Sequence, residues 1–362
     1  MTKRLIAYLA CTAALLVAGL GAAAPASARP PAHPGHPVPS IHVVRSGQSI
    51  QNAVDAAAEG DTVLVLPGTY RESVKVTTPG LTLRGVGGHT VIVPGTDMTP
   101  GSCAARGNGI CVMGAKDRAV PGVTVADLTV TGFPGTGVFA LATDRLTVRN
   151  VTAAENGVWG IALEHSLRAA LRHNTARDNG DAGLFLANTV RSEEGAEDTR
   201  GTVVEHNLLR GNRIGVTVRR LRNLTVAGNH ITANCAGVFV VGDENTPKAG
   251  DLTVRGNHIV RNNRSCPKTA RLPALQGTGI VLTGAEQTLV TRNEIRDNAG
   301  TSPLSGGIVL FKSFVGATND DNRVTGNTLD GNAPADLVDT DPGRSNTFED
   351  NTCRASLPAG LC

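Results

Sequence analysis

Six residues that can do chemistry stand in three adjacent pairs, Glu164-His165, Arg219-Arg220 and Asp243-Glu244, each just after a short glycine-containing apolar run. An imidazole such as that of His165 can take a proton. Arg219, Arg220 and Lys312 can supply a base or a positive clamp for an anionic group. Asp243, Glu244 and Glu164 offer the oxygen ligands that a hard ion such as Ca²⁺ prefers. Trp159, the single tryptophan, stands just before another such run and can stack on a ring. Thr143-Asp144, Asn188-Thr189, Glu286, Asp339 and Asp341 occupy comparable places. If the apolar runs stack, these residues form one surface column. The plainer alternative is a solvated face, where charged residues normally lie.

A repeated phrase positions the column. An Asn, a short spacer and a second Asn precede a glycine that opens an apolar run, as in RNVTAAENGVWGIAL from Arg149 and HNLLRGNRIGVTV from His206. The first Asn of each unit falls at 150, 174, 207, 229, 257, 293, 327 and 351, with gaps of 24, 33, 22, 28, 36, 34 and 24 residues. Periods of this size mark a solenoid with one supersecondary unit per repeat. Leu146-Thr147-Val148 and Leu252-Thr253-Val254 read as one series of strands, and Gly160-Ile161-Ala162-Leu163 and Gly279-Ile280-Val281-Leu282 as another. No amphipathic helix separates them, so the strands must stack parallel as coils. Each first Asn is expected at a sharp turn, in left-handed backbone geometry, with its amide bonded to the Asn one coil above. Ser49, the apolar spacing of Ile50, Ala53, Val54 and Ala57, and Gly60 predict a capped helix that closes the first coil.

Composition narrows the partners. Lys3 and Arg4, an apolar stretch over 5–21 and Ala26-Ser27-Ala28 read as a secretory signal over residues 1–28. That signal is too short for a membrane span, and Cys11 sits too early for a lipoprotein cysteine. Residues 29–40, with His33 and His36, read as a Pro- and His-rich leader. The remaining chain has 32 basic and 31 acidic residues and no basic face, which disfavours nucleic acid. Six cysteines in an exported chain point to disulfides. Order and repeat register pair Cys103 with Cys111, Cys235 with Cys266, and Cys353 with Cys362. Phe133, Phe139, Phe185 and Phe239 read as core stacking.

The run SIQNAVDAAAEGDTVLVLPGTYRESVKV from Ser49, followed by the Asn repeats, resembles the right-handed parallel β-helix proteins of the pectin-lyase-like superfamily. Within that superfamily it resembles the secreted right-handed β-helix repeat group that includes NosD-type periplasmic proteins. The resemblance implies an all-β, single-stranded right-handed parallel β-helix of about nine to ten coils with an N-terminal capping helix, over residues 41–353. Residues 354–362 form a disulfide-closed cap. It also implies an extracellular or cell-wall polysaccharide lying along one face, a monomer, and no membrane span. A lyase-like, Ca²⁺-assisted reading uses Arg219, Arg220, Lys312 and His165 for catalysis. Trp159, Glu164 and Asn188 would bind substrate, and Asp243 and Glu244 the metal. The long insertions 190–201, 242–250, 264–277, 299–305 and 312–321 would build the binding surface. A non-catalytic carbohydrate or cell-envelope binding solenoid is the second reading. The third is a NosD-like metal-handling accessory, with copper at His230 and His258, which share a repeat position, while His173 and His206 flank ladder asparagines. The Asp-Asp pair and Gly-His-Gly of polygalacturonases, the paired aspartates and Arg of pectinesterases, and the Tyr-Gly-Phe-Asp-Pro-His-Asp signature of alginate epimerases are absent.

Overall fold

Short runs rich in Val, Ile, Leu and Thr alternate one residue in and one out, and a sharp corner ends many of them after 3 residues, as in Thr147–Arg149 and Thr175–Arg177. Repetition of that pattern winds the chain into a parallel β-helix. The structure, a computed structural model, describes residues 38–362 apart from 97, 116 and 344. The expected signal segment with Cys11, and His33 and His36, lie outside the described residues.

Three long parallel sheets form the walls. Among the described residues the first sheet has 13 strands and starts at Ile41–Val44; the second has 10 and starts at Gly68–Arg71. The third has 11 and starts at Val74–Val76. The coils at the amino end lack the paired asparagines and add to those that the repeat marks. One coil shows the pattern: Ile161–Glu164 in the third sheet, Ala170–Arg172 in the first, Thr175–Arg177 in the second, then Ala182–Ala187 back in the third. Every third-sheet neighbour is in register, as in Leu163↔Leu186↔Val218↔Val240↔Leu282↔Leu310. Their side chains fill one continuous apolar interior.

The corners depart from the expected asparagine geometry. The residue in left-handed conformation is the one before the ladder Asn: His173 at φ 55°, His206 at 56°, Gly228 at 60° and Arg292 at 53°. The Asn itself turns inward and is buried. Its backbone N–H and its Nδ2 both donate to the Oδ1 of the Asn one coil on, at 2.9–3.0 Å, from Asn174 through Asn207, Asn229, Asn257, Asn293 and Asn327 to Asn351. Asn150 is outside this ladder. It is the exposed left-handed residue at φ 53°, bonded to Asp127, and Val151 takes the inward place. A second ladder runs through Asn156, Asn179, Asn212, Asn234, Asn262, Asn298 and Asn332 and ends on Asp336. An inward polar group at a tight corner has no water partner, so the amide answers the backbone groups that the corner leaves free.

The amino end is closed by the helix Ile50–Ala56, whose Ile50 and Val54 enter the interior. Ser49 caps it, and Glu72 accepts from the Ser49 hydroxyl and from the N–H groups of Ile50 and Gln51. The C-cap is Ala57 in extended conformation; Gly60, at φ 83°, serves the following turn and does not stop the helix. Disulfides join Cys103–Cys111, Cys235–Cys266 and Cys353–Cys362, with Cα–Cα distances of 5.8, 6.0 and 5.5 Å.

Alternation along the third sheet corrects the reading of the aromatics. Phe133 lies in the interior, but Phe139, Phe185 and Phe239 point outward. They form a second apolar cluster with Val281, Val309, Leu275 and Leu304 on the sheet's outer face. That face is the floor of the candidate site.

Candidate functional site

The third-sheet register decides which predicted residues meet. The last position of each strand forms a column that reads Leu141, Glu164, Ala187, Arg219, Val241, Thr283 and Phe311. Glu164 and Arg219 therefore share a column with Ala187 between them, about 10 Å apart at about 4.8 Å per rung. His165 and Lys312 flank the two ends of the stretch from Glu164 to Phe311, five rungs or about 24 Å apart. Lys312 and His165 cannot reach one sugar ring together. In the next column, Gly242 and not Asp243 answers Arg220, because the strand Ala236–Val241 ends one residue before the pair that sequence spacing aligned.

Arg220 is buried and pairs with Asp243, while its NH1 donates to the Ser192 carbonyl at 2.8 Å. Asp243 also accepts from the backbone N–H and the Nδ2 of Asn245, both at 3.0 Å. Neither group is free for the predicted work: Arg220 is a tie between coil and loop, and the carboxylate of Asp243 is committed. Glu244 is exposed beside it. Among the described residues no three His, Cys, Asp or Glu side chains come together as a metal cluster, so the predicted Ca²⁺ ligands are not assembled. Asn188 is likewise buried, donating from Nδ2 to the Gly195 carbonyl at 2.9 Å and accepting from the Thr189 N–H at 2.6 Å. It folds the 189–196 loop and offers nothing to a ligand. Elsewhere in the predicted column, Asp144 pairs with Arg168, Glu286 with Arg222, and Asp341 binds Asn319.

Three predicted residues remain together on the surface. Glu164 is half-buried, and burial raises its pKa against the opposing pull of the Val190 N–H, His165, Arg191 and Arg219. His165 contacts Glu197 through Nδ1 at 3.2 Å. Arg219 donates to the Thr189 carbonyl at 2.9 Å; burial lowers its pKa, and the cations of Arg220 and Arg271 push the same way. The result is a carboxyl whose proton affinity burial raises, an imidazole and a guanidinium around the mouth of one loop.

Trp159 marks the opposite edge of the sheet. Its ring stacks on Phe185 at 4.2 Å and 11°, and its Nε1 donates to Asp181 at 3.1 Å. Asp181 is raised by burial, against the pull of Trp159 and Arg213. Arg213, itself buried, donates to the carbonyls of Pro267 and Pro273 and so anchors the 264–277 insertion, which Cys235–Cys266 also ties down. Sequence reasoning missed Asp181 and Arg213. Nothing local distinguishes them, since their partners lie 22 to 60 residues away. The histidines stack in two pairs, His173 on His206 at 5.3 Å and His230 on His258 at 4.9 Å. His258 Nδ1 meets Glu294 at 3.0 Å. Two imidazoles with a carboxylate behind one of them lack the third soft donor of a copper centre.

The family described as "right handed beta helix region" matches residues 73–259, just over half of the chain. The chain belongs to this family. It is a right-handed parallel β-helix protein of the pectin-lyase-like superfamily. The periplasmic copper-binding protein (NosD) family matches residues 193–355 of this β-helix. No curated protein matches it closely enough to count as a relative. Among solved structures, the A-module of mannuronan C-5 epimerase AlgE4 from Azotobacter vinelandii is similar with a TM-score of 0.59. Identity is 20%, and the match covers 84% of this chain and 90% of that one. DFA-IIIase from Arthrobacter chlorophenolicus A6, in complex with GF2, gives 0.56 at 15% identity, covering 84% and 83%. At such identities the likeness carries the fold alone. No helix among the described residues of this β-helix is long and apolar enough to cross a membrane.

Proposed function

We propose that this β-helix binds an acidic polysaccharide along the outer face of its third sheet and cleaves it by β-elimination at Glu164, His165 and Arg219. The observation that carries the reading is Glu164, a half-buried carboxyl whose proton affinity burial raises, set in one column with Arg219. In the proposed step the Arg219 guanidinium meets the uronate carboxylate and stabilises negative charge as it develops at C5. His165, held at Nδ1 by Glu197, takes the C5 proton at Nε2. The C5–H electron pair forms the C4–C5 double bond, and the C4–O4 bond breaks. Glu164 gives its proton to the departing O4, and exchange with water resets both groups. Trp159, pinned by Phe185 and Asp181, is the proposed stacking surface for a sugar at the other edge. The step as proposed draws on no Ca²⁺ ligand, and Asp243 is committed to Arg220. The three disulfides suit a protein that works outside the reducing cytoplasm.

The test is absorbance at the unsaturated-uronate band with pectate, alginate, heparinoid and gellan-type polymers, with and without Ca²⁺. A Ca²⁺-independent rise is expected, cut on the order of 100-fold or more in E164Q or H165Q. A flat trace from folded protein that still binds a polymer would replace the lyase with a non-catalytic binding solenoid. The NosD match supports a lesser reading, metal handling at the stacked His230–His258 pair. Stoichiometric copper uptake that H230A/H258A abolishes would establish it.

A further inference from the structure

A cleft at the amino end of the third sheet, two rungs from Glu164, carries a one-sided charge. It encloses about 580 Å³. Lys75, Arg106 and Arg118 line it, and no carboxylate among the described residues does. The three cations come from three separate elements: the strand Val74–Val76, the short helix Ala104–Arg106, and the turn in which Ala115 bridges Arg118. None of them makes an ion pair with a described residue. The nearby acid Glu72 is occupied at the start of the capping helix, and Asp117 does not line the cleft.

The floor is apolar and braced. Cys111, Met113 and Val120 line it, and the Cys103–Cys111 disulfide fixes the loop that carries Arg106. Cys111 has only 1% of its surface exposed, so the floor is part of the packed face and not a mobile rim. Three exposed cations around one cleft with an apolar floor give it a positive potential that favours an entering anion. A volume in this range holds a small organic ligand and is more than a lone inorganic ion needs.

We propose that this cleft is a binding site for an organic oxyanion, a carboxylate, sulfate or phosphate group on a body of one or two sugar rings. The cations take the oxyanion, and Met113, Val120 and the disulfide take the apolar face of the ring. The cleft adjoins the Glu164 site along one column, since Met113, Leu141 and Glu164 are successive rungs, about 10 Å from end to end. An acidic chain bound at one site would run into the other. The binding claim does not depend on catalysis at Glu164.

Calorimetric titration of the purified protein with digalacturonate, glucose 6-phosphate, glucose 6-sulfate, cellobiose and sodium sulfate tests it. At least one of the three acidic sugars is expected to bind at least tenfold more tightly than cellobiose and than sodium sulfate, with affinity falling as salt rises. Which of them binds tells carboxylate from phosphate or sulfate. R106Q/R118Q should weaken that binding tenfold or more with an unchanged circular dichroism spectrum, K75Q should weaken it in the same direction, and E164Q should leave it intact. Equal affinity for cellobiose, equal affinity for inorganic sulfate, or a folded double variant that binds as wild type would each overturn the proposal. Loss of polymer cleavage in E164Q with unchanged binding here would separate the two sites.

Discussion

Replacing Asn229 with Ala removes one rung of the first asparagine ladder. In the intact protein Asn229 Oδ1 accepts from the backbone N–H and the Nδ2 of Asn207, both at 2.9 Å. Its own Nδ2 donates to the Val204 carbonyl and to Asn257 Oδ1, again at 2.9 Å. All four bonds lie in the buried corner, where water cannot take over. Each contributes about 1 kcal/mol net, and partners left bare in the interior cost more, so the loss should be about 3–5 kcal/mol. Asn150 is the internal control. Its sequence context matches, but it is exposed with a single bond to Asp127, and N150A should cost about 0.5 kcal/mol or less. Urea unfolding followed by circular dichroism compares the two under one protocol, with the slope checked so that the midpoints report stability. N234A in the second ladder should behave like N229A, since Asn234 makes the corresponding four bonds. If N229A and N234A lose no more than N150A, the ladders do not hold the coils together and the account of the corners is wrong.

Individual charges give further expectations. R220M strands Asp243 without its partner, so a loss of about 3–5 kcal/mol is expected by urea unfolding, together with faster proteolysis within 189–196. Removing both charges in R220M/D243L should recover most of that loss; no recovery would mean that the pair is not what anchors the loop. Burial raises Glu164 above its ordinary 4.5, so its contribution to stability is complete below that pH and is lost as pH rises through the raised value. E164Q, which has no carboxyl to ionise, should match wild type in Tm near pH 4 and exceed it at neutral pH, and parallel curves across that range would refute the shift. Asp61 shows the opposite sign. The Ser40 N–H, His42 and the Ala58 N–H hold its pKa at about 2, against an ordinary 3.8. Its stabilisation is present above 3.8 and is lost as pH falls toward 2, so amide exchange at residues 41–58 should accelerate in that window in wild type and not in D61N.

The fold was readable because its signals are local. Alternation over three or four residues, the Asn spacing and the Ser49 cap each need only neighbouring positions, and each repeats. The second ladder was readable too, in the Asn that stands five residues after the first in six of the units, as in Asn174 and Asn179 or Asn229 and Asn234, and six after Asn150. The three-residue strand between two corners fixes that interval while loops elsewhere vary. What misled was the choice of which residue takes the strained conformation. The left-handed place falls to the residue before the Asn, because the amide must turn inward to meet the next coil.

The site was less readable, because repeat lengths vary from 22 to 36 residues and spacing alone cannot align the polar residues at the ends of the third-sheet strands. Gly242 pushed Asp243 one place out of the expected column and into the reach of Arg220. That single step turned a predicted metal ligand and a predicted base into one structural ion pair. Residue types along the chain determined that strands would stack in parallel coils, that polar corners would be bridged by amides, and that six cysteines would suit three bridges. Only the tertiary structure decided which charges face one another across coils, that Phe139, Phe185 and Phe239 floor the outer face, and that Lys75, Arg106 and Arg118 converge on one cleft. Strand periodicity is set by neighbours a few residues apart, whereas these encounters join residues tens of positions apart and depend on the length of every loop between them.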